Sequence, residues 1–120
     1  RVMALLVKQY LHNTKKDGIE SLAKKIKKSS QIEAIEATED DLKRSNMIEA
    51  MIWGEVETYT SSHKDVVITS AILIKIALSL YTVILEDDKD VEKITQAAID
   101  SIPQLRARMQ RELNTPITLH

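Results

Sequence analysis

The sequence predicts an all-α fold, a bundle of five or six helices around a central apolar helix over about 66–85. Helix breakers are scarce, because the 120 residues include only two Gly and two Pro, whereas turn-rich β architectures need many more of them. Apolar residues also recur at helical spacing in successive segments of the chain. We therefore expect one helical domain over 1–114, followed by a C-terminal tail over 115–120.

The N-terminal segment is predicted to form two basic, amphipathic helices. The first spans about 2–16 and is followed by Gly18, which stands where a C-terminal cap belongs. The second spans about 19–29, and lysines cover the side opposite its apolar stripe. The apolar positions of the two helices are Val2, Met3, Leu6, Val7, Tyr10, Leu11, Ile19, Leu22, Ala23 and Ile26.

A third helix is predicted over about 39–60. Thr38 followed by Asp41 is typical of an N-cap with an acidic third position, and acidic residues in a first turn favour the helix dipole. Gly54 costs the helix about 1 kcal/mol relative to Ala, and we expect it to permit a close contact with another helix. The predicted apolar arc consists of Leu42, Ser45, Ile48, Ile52, Trp53, Val56 and Tyr59.

The central helix over 66–85 is long and apolar enough to cross a bilayer by length alone. Lys75 lies in its middle, where a lysine costs about 2.5–3.5 kcal/mol on membrane insertion scales. We therefore do not expect a membrane span. We expect a bundle helix that is buried nearly all round, with one seam that meets water or a polar neighbour. That seam consists of Ala71, Lys75, Ser79, Thr82 and Glu86.

A fifth helix is predicted to begin near Asp88 or Asp90, after a polar break. Pro103 either kinks this helix or starts a new one, since proline suits the first turn of a helix but not its interior. The apolar stripe consists of Val91, Ile94, Ala98 and Ile102, and it continues through Leu105, Met109 and Leu113.

The net charge of −1 conceals a strong separation of charge along the chain. Residues 1–30 carry eight basic and two acidic side chains, and residues 31–60 carry eight acidic and two basic ones. Either a basic hairpin packs beside an acidic helix of the same domain, or the charge serves a partner. The Lys-rich face of residues 8–28 would suit phosphates. No aromatic residue or base-reading motif accompanies it, so we expect only weak, non-specific attachment to nucleic acid.

Catalytic, metal and cofactor chemistry finds little in the sequence. There is no Cys, no nucleotide-binding glycine motif and no serine beside a plausible base. His12, His63 and His120 have no second ligand at metal-binding spacing. We predict no catalytic, metal or cofactor site, hence no enzyme. The lack of Cys fits a reducing compartment, so we expect the cytoplasm.

Two charged residues fall where the helical patterns predict apolar surroundings. Glu49 lies within the apolar arc of the third helix, and Lys75 lies in the middle of the central helix. The two would satisfy each other as a buried pair, since an unpaired buried charge is very costly. Alternatively Glu49 lies at the rim and reaches solvent, or both line a ligand pocket together with Tyr81.

The function that these patterns favour is a non-catalytic helical protein–protein interaction or adaptor domain that recognises a protein partner or forms a homodimer. Apolar residues lie on nearly every side of the central helix, and in so small a domain part of that surface would face a second chain. One alternative is a nucleic-acid-associated regulator that uses the Lys-rich face, and another is a ligand-binding or enzymatic bundle with a polar pocket near Glu49 and Lys75. The predicted partner surface consists of Met47, Met51, Lys24, Lys25, Lys27 and Lys28.

Overall fold

The structure is a computed structural model that describes residues 2–12, 19–26 and 36–114. Of these residues 88% are helical, and none forms a strand, so the predicted all-α class is confirmed. The described helices are α1 (Val2–Leu11), α2 (Ile19–Lys25), α3 (Glu39–Tyr59), α4 (His63–Ile84), α5 (Asp88–Asp100) and α6 (Ile102–Asn114).

Helix α3 begins with the capping box that the sequence predicts. The Asp41 backbone N–H donates to the Thr38 hydroxyl at 3.1 Å, and the Thr38 backbone N–H donates to the Asp41 carboxylate at 3.0 Å. Ser62 caps α4 in a related way, since its hydroxyl accepts from the Asp65 backbone N–H at 3.1 Å. These bonds satisfy amide groups that a helix leaves without partners in its first turn.

Helix α4 is the element against which α1, α2 and α5 pack. The core of the described chain is small and lies around α4 and the start of α5, with Ala71, Val83, Leu85 and Val91 as its buried apolar residues. The expectation that α4 is buried nearly all round is wrong, because only Ala71 and Val83 of this helix are buried. Its neighbours cover one side and leave the other open.

The polar seam of α4 points partly inward. Ala71 is 1% exposed, Lys75 and Ser79 are half-buried, and only Thr82 and Glu86 at the C-terminal end are exposed. Small side chains along this seam allow neighbouring elements to approach α4 closely. The uncovered side of α4 is consequently an apolar one.

Helix α3 is not one of the helices that pack closely on α4, and none of its residues is buried. The expectation of a close helix contact at Gly54 is wrong, since a Cβ atom added there would meet no atom within 4 Å. The reason is geometric: Gly54 lies on the side of α3 opposite its apolar arc.

A short turn at Ser101 separates α5 from α6, and Pro103 is the second residue of α6. Of the two possibilities for Pro103, the structure therefore has a new helix. The Leu105 backbone N–H still donates to the Ser101 carbonyl at 3.0 Å, so the turn interrupts the helical hydrogen bonding only briefly. Every residue of α6 is exposed.

The described helices do not all pack into one compact bundle. Helices α3 and α6 lie outside the small core, because neither has a buried residue.

Several sequence predictions fall outside the described residues. These are the cap at Gly18, the lysines Lys15, Lys16, Lys27 and Lys28, His120, and the tail over 115–120. The first two helices, by contrast, end at Leu11 and Lys25, earlier than the predicted ends near 16 and 29.

Candidate interaction surface

Large apolar side chains are mostly outside the core in the part of the chain that the structure describes. Four apolar residues are buried there, whereas twenty-one large apolar residues are exposed. Isolated exposed apolar residues are ordinary in soluble proteins, but contiguous apolar surfaces usually mark an interaction site. Eleven of the twenty-one exposed residues lie on three surfaces, one each on α3, α4 and α6.

The first surface, here called the α3 stripe, consists of Ser45, Ile48, Ile52, Val56 and Tyr59. These residues follow one another at intervals of three and four, so they share one face of the helix. Ile52, at its centre, is 44% exposed. By the same helical geometry, Glu49 and Glu55 lie on opposite sides of the stripe, which gives it an acidic border along both edges.

A cleft forms where the α3 stripe faces the start of α4. One cavity of about 380 Å³ is lined by Met51, Ile52, Glu55, Val56, Tyr59, Thr69 and Leu73. A second cavity of about 260 Å³ shares several of these walls and adds Trp53, Thr60, Val66 and Ser70. Glu55 is the only charged residue in either lining, so the cleft is an apolar space beside one carboxylate.

The second surface, here called the α4 seam, runs along the open side of α4. It consists of Val66, Ser70, Leu73, Ala77, Leu80 and Ile84, which are all exposed. Their spacing alternates between four and three residues, the a and d spacing with which helices pack against one another. The first half of the seam lines the cleft, and the second half continues beyond it.

The third surface, here called the α6 stripe, consists of Ile102, Leu105, Met109 and Leu113. Leu105 is 59% exposed, and the other three are also exposed. Arg106 borders one edge of this stripe. On the other edge Glu112 accepts a hydrogen bond from the Arg108 side chain at 3.3 Å, so that charge is already compensated within the helix.

The charges of α3 and α6 are opposite in sign. Helix α3 carries six acidic and two basic side chains, whereas α6 carries three arginines and one glutamate. Among the closely packed pairs of described helices, α6 packs against α5 alone.

Two carboxylates near the cleft-forming helices have shifted pKa values. The hydrogen bond from the Thr38 backbone N–H, aided by the Thr38 hydroxyl, holds the pKa of Asp41 below its ordinary value. Bonds from the Ser61 backbone N–H and hydroxyl, both 3.0 Å long, lower the pKa of Asp65 in the same way. Both groups stabilise helix starts and point to no reaction.

The predicted partner surface divides among different elements. Met51 is 65% exposed and lines the cleft, whereas Met47 is 58% exposed on the far side of α3. Lys24 and Lys25 are exposed at the end of α2, which packs against α4. Lys27 and Lys28 lie outside the described residues. Only Met51 of this set therefore belongs to the apolar cleft.

Glu49 and Lys75 do not form the buried pair that was one of the alternatives. Glu49 is exposed on α3, which does not pack closely on α4, whereas Lys75 is half-buried on α4. Of the open alternatives, the exposed position at the rim of the apolar arc describes Glu49. Neither residue lines the α3–α4 cleft, and Tyr81 does not line it either.

The histidines are separated from one another. His12 is exposed just after α1, and His63 is exposed at the start of α4. Within residues 2–12, 19–26 and 36–114, no group of three or more His, Cys, Asp or Glu side chains is placed to hold a metal ion.

Helix α4 is long and apolar enough to cross a membrane. Its 22 residues have a mean hydropathy of 2.1 over the most apolar window, and 11% of that window is buried in the molecule. Length and composition alone are the basis of this finding. The core helix of a soluble protein meets the same test.

Comparisons of the chain with protein-family models, with curated proteins and with solved structures found no match. Function therefore has to be inferred from the chain's own surface.

None of the three surfaces contains a residue of the partner surface predicted from sequence, and only Met51 of that set lies beside one of them, in the cleft. The signal for the α6 stripe was present in the spacing of Leu105, Met109 and Leu113, but the same pattern is produced by a helix whose stripe enters the core. The α4 seam had no distinct signal, because apolar residues occur on nearly every side of that helix.

Proposed function

We propose that this chain is a non-catalytic protein–protein interaction domain that assembles with a second copy of itself, in the simplest case as a homodimer. The observation that carries the proposal is the exposure of twenty-one large apolar residues against four buried ones in the described chain. Burial of apolar surface contributes about 25 cal/mol per Å². An association that covers the α3 stripe, the α4 seam and the α6 stripe would gain that contribution.

Obligate homodimers bury about 2,000–5,000 Å² in total, which is about 1,000–2,500 Å² from each protomer. In the described part of the chain, the exposed apolar residues of α3, α4 and α6 are the surface that can supply such an interface.

The chemistry of the cleft supports a binding role without catalysis. Its walls are aliphatic and aromatic apart from two threonines, one serine and Glu55. A catalytic constellation needs a nucleophile or a titratable pair held by supporting hydrogen bonds. A wide apolar cleft with one rim carboxylate is better suited to receive an amphipathic helix.

Sedimentation equilibrium of the purified chain, over about a thousandfold range of concentration, tests this proposal. We expect a concentration-dependent mass that approaches twice the monomer mass of 13.6 kDa. A monomer throughout that range would contradict self-association. Met47→Gln serves as a control, because Met47 lies on α3 but outside the α3 stripe. We expect this variant to associate as the wild type does.

A membrane-inserted α4 is the rival that the hydropathy of this helix favours. We propose the soluble alternative because α1, α2 and α5 all pack on α4, and because Lys75 lies at its centre. Small residues on the inward seam suit either setting. We therefore expect the chain to purify without detergent, whereas recovery in a membrane fraction that resists carbonate extraction would favour the rival.

A further inference from the structure

We infer that α6 of one copy lies in the α3–α4 cleft of the other copy, so that each copy contributes its α6 and receives its partner's. This inference rests on the proposed self-association. It specifies which surfaces of the two copies meet and which charged residues face one another.

The two surfaces are of kinds that pack together. The cleft is open and apolar, and its walls include Ile52, Val56 and Tyr59 of the α3 stripe and the first half of the α4 seam. The α6 stripe is an amphipathic helix of 13 residues, about 20 Å long. A helix that inserts its apolar face between two others would turn the open α3–α4 pair into a three-helix layer.

The charges at the borders are complementary. The α3 stripe has an acidic residue at each edge, Glu49 and Glu55, whereas the α6 stripe has Arg106 at one edge. When α6 lies in the cleft with Arg106 on the α3 side, Arg106 faces the acidic border of α3, where Glu55 lines the cleft. The opposite edge of α6 is compensated by its own Arg108–Glu112 pair.

Reciprocal exchange follows from symmetry. In a dimer with a twofold axis the same patches occur on both copies, so a cleft that receives the partner's α6 implies a second, equivalent contact. If only one α6 were bound, one α6 stripe and one cleft of the dimer would remain exposed to solvent. With two equivalent contacts, both α6 stripes and both clefts are covered.

The decisive experiment uses two charge-reversed variants of the full chain. The first variant carries Glu49→Lys with Glu55→Lys on α3, and the second carries Arg106→Glu on α6. Each variant alone places like charges at both contacts of its dimer, so we expect its self-association to weaken about threefold to tenfold. In a mixed dimer both contacts regain opposite charges. We expect mixing to restore association to within about twofold of the wild type.

The apolar contact has its own test. Leu105→Asp puts a charge in the middle of the α6 stripe, and we expect self-association to weaken about a hundredfold or more. Gln104→Asp is the matched control, because it makes a similar change on the far side of the same helix. Both positions are exposed in the monomer, so neither variant should alter the helical content measured by circular dichroism.

The outcomes separate this inference from the proposed function. A wild-type dimer that tolerates both Leu105→Asp and Arg106→Glu would overturn the α6 exchange and leave self-association standing. A wild type that remains monomeric would overturn both. A compact monomer with a radius of gyration near 14 Å, which Leu105→Asp expands, would place α6 in its own cleft and overturn the exchange between copies.

Discussion

At the residue scale, two carboxylates control where the long helices begin. Asp41 and Asp65 accept hydrogen bonds in front of α3 and α4, and these bonds lower their pKa values in the folded chain below the ordinary value of 3.8. Because the pKa of each group is lower in the folded chain than in the unfolded chain, the hydrogen bonds stabilise the fold fully at a pH above the unfolded-state pKa. This stabilisation is lost as the pH falls through the folded-state pKa.

We therefore expect the helical signal of the chain to decrease on acidification below about pH 4. Replacement of both residues with Asn removes the ionised acceptor, so this variant should have less helix at neutral pH and a flatter acid titration. Far-ultraviolet circular dichroism as a function of pH measures both effects. Asp40→Asn is the control, since Asp40 lies in the same first turn outside the capping box. Equal acid sensitivity of all three proteins would refute a role for the caps.

Gly54 is the second position where one residue decides local stability. It lies in the middle of α3, on the side away from the α3 stripe, and a Cβ added there would meet nothing within 4 Å. Glycine in a helix interior is less favourable than alanine by about 0.5–1 kcal/mol. Gly54→Ala should therefore stabilise the protein by about that amount in urea denaturation, without a change in self-association. A loss of stability would show that Gly54 is covered in solution.

At the scale of elements, local chemistry was sufficient to predict where most described helices begin and end. The predicted start of the third helix after Thr38 is confirmed by the capping box, and the fifth helix begins at Asp88, one of its two predicted starts. The central helix begins three residues earlier than predicted, at His63, because Ser62 supplies the cap. Capping depends on neighbouring residues alone, which is why a single sequence reveals it.

The arrangement of the helices was predicted much less well. An apolar stripe indicates that one face of a helix seeks cover, but it does not identify the element that covers it. For this reason the stripe over Ile48, Ile52 and Val56 was predicted as an apolar face, whereas the exposure of that face was not predicted. The hypothesis of a Glu49–Lys75 pair failed as well, since a pair between helices requires the two helices to pack.

The junction between α5 and α6 depends on Pro103. Proline has no N–H group, and its ring clashes with the carbonyl of the residue four positions earlier, here Ile99. Pro103→Ala removes both obstacles, so we expect α5 and α6 to join into one continuous helix over 88–114. Spin labels on Lys93 and Gln110 should then give a narrow distance distribution centred at about 26 Å along the axis. Gln104→Ala should leave the wild-type distribution unchanged, and an unchanged distribution in the Pro103 variant would show that proline does not cause the break.

Pro103→Ala should also affect self-association. If α6 enters the cleft of a second copy, the direction of α6 relative to α5 determines whether α6 can reach that cleft. A variant in which α5 and α6 form one continuous helix should therefore self-associate more weakly, although no residue of the α6 stripe is altered.

At the scale of the whole molecule, the separation of charge could serve self-association through acidic α3 and basic α6, or nucleic-acid binding through the lysines of α1 and α2. The two interactions differ in their dependence on salt. The basic residues Lys8, Lys24 and Lys25 are exposed on α1 and α2, while the acidic residues concentrate on α3. Pairing of α3 with α6 between copies consumes part of the acidic surface. The lysines of α1 and α2 remain on the outside of the molecule, where a nucleic-acid-associated regulator would need them.

If these lysines bind duplex DNA, affinity should fall steeply with salt. The logarithmic slope is about −0.9 for each phosphate neutralised, so four to six contacts correspond to a slope of roughly −4 to −5. We expect instead no more than weak, non-specific attachment at physiological salt, because α3 repels phosphate and the one aromatic residue within 8–28, Tyr10, is half-buried. Fluorescence anisotropy with labelled duplexes of two unrelated sequences, measured over a salt series, decides between these outcomes.

The matched variants make that measurement specific to the Lys-rich face. Replacement of Lys24, Lys25, Lys27 and Lys28 with Gln removes the cluster, whereas replacement of Lys89 and Lys93 on α5 with Gln lowers the positive charge elsewhere. Weak attachment should respond similarly per charge in both variants, since non-specific binding follows net charge more than position. The contrary result is sub-micromolar binding that differs between the two duplexes and that is abolished only by the variant at Lys24, Lys25, Lys27 and Lys28. That result would make a nucleic-acid-associated regulator the better account of this chain.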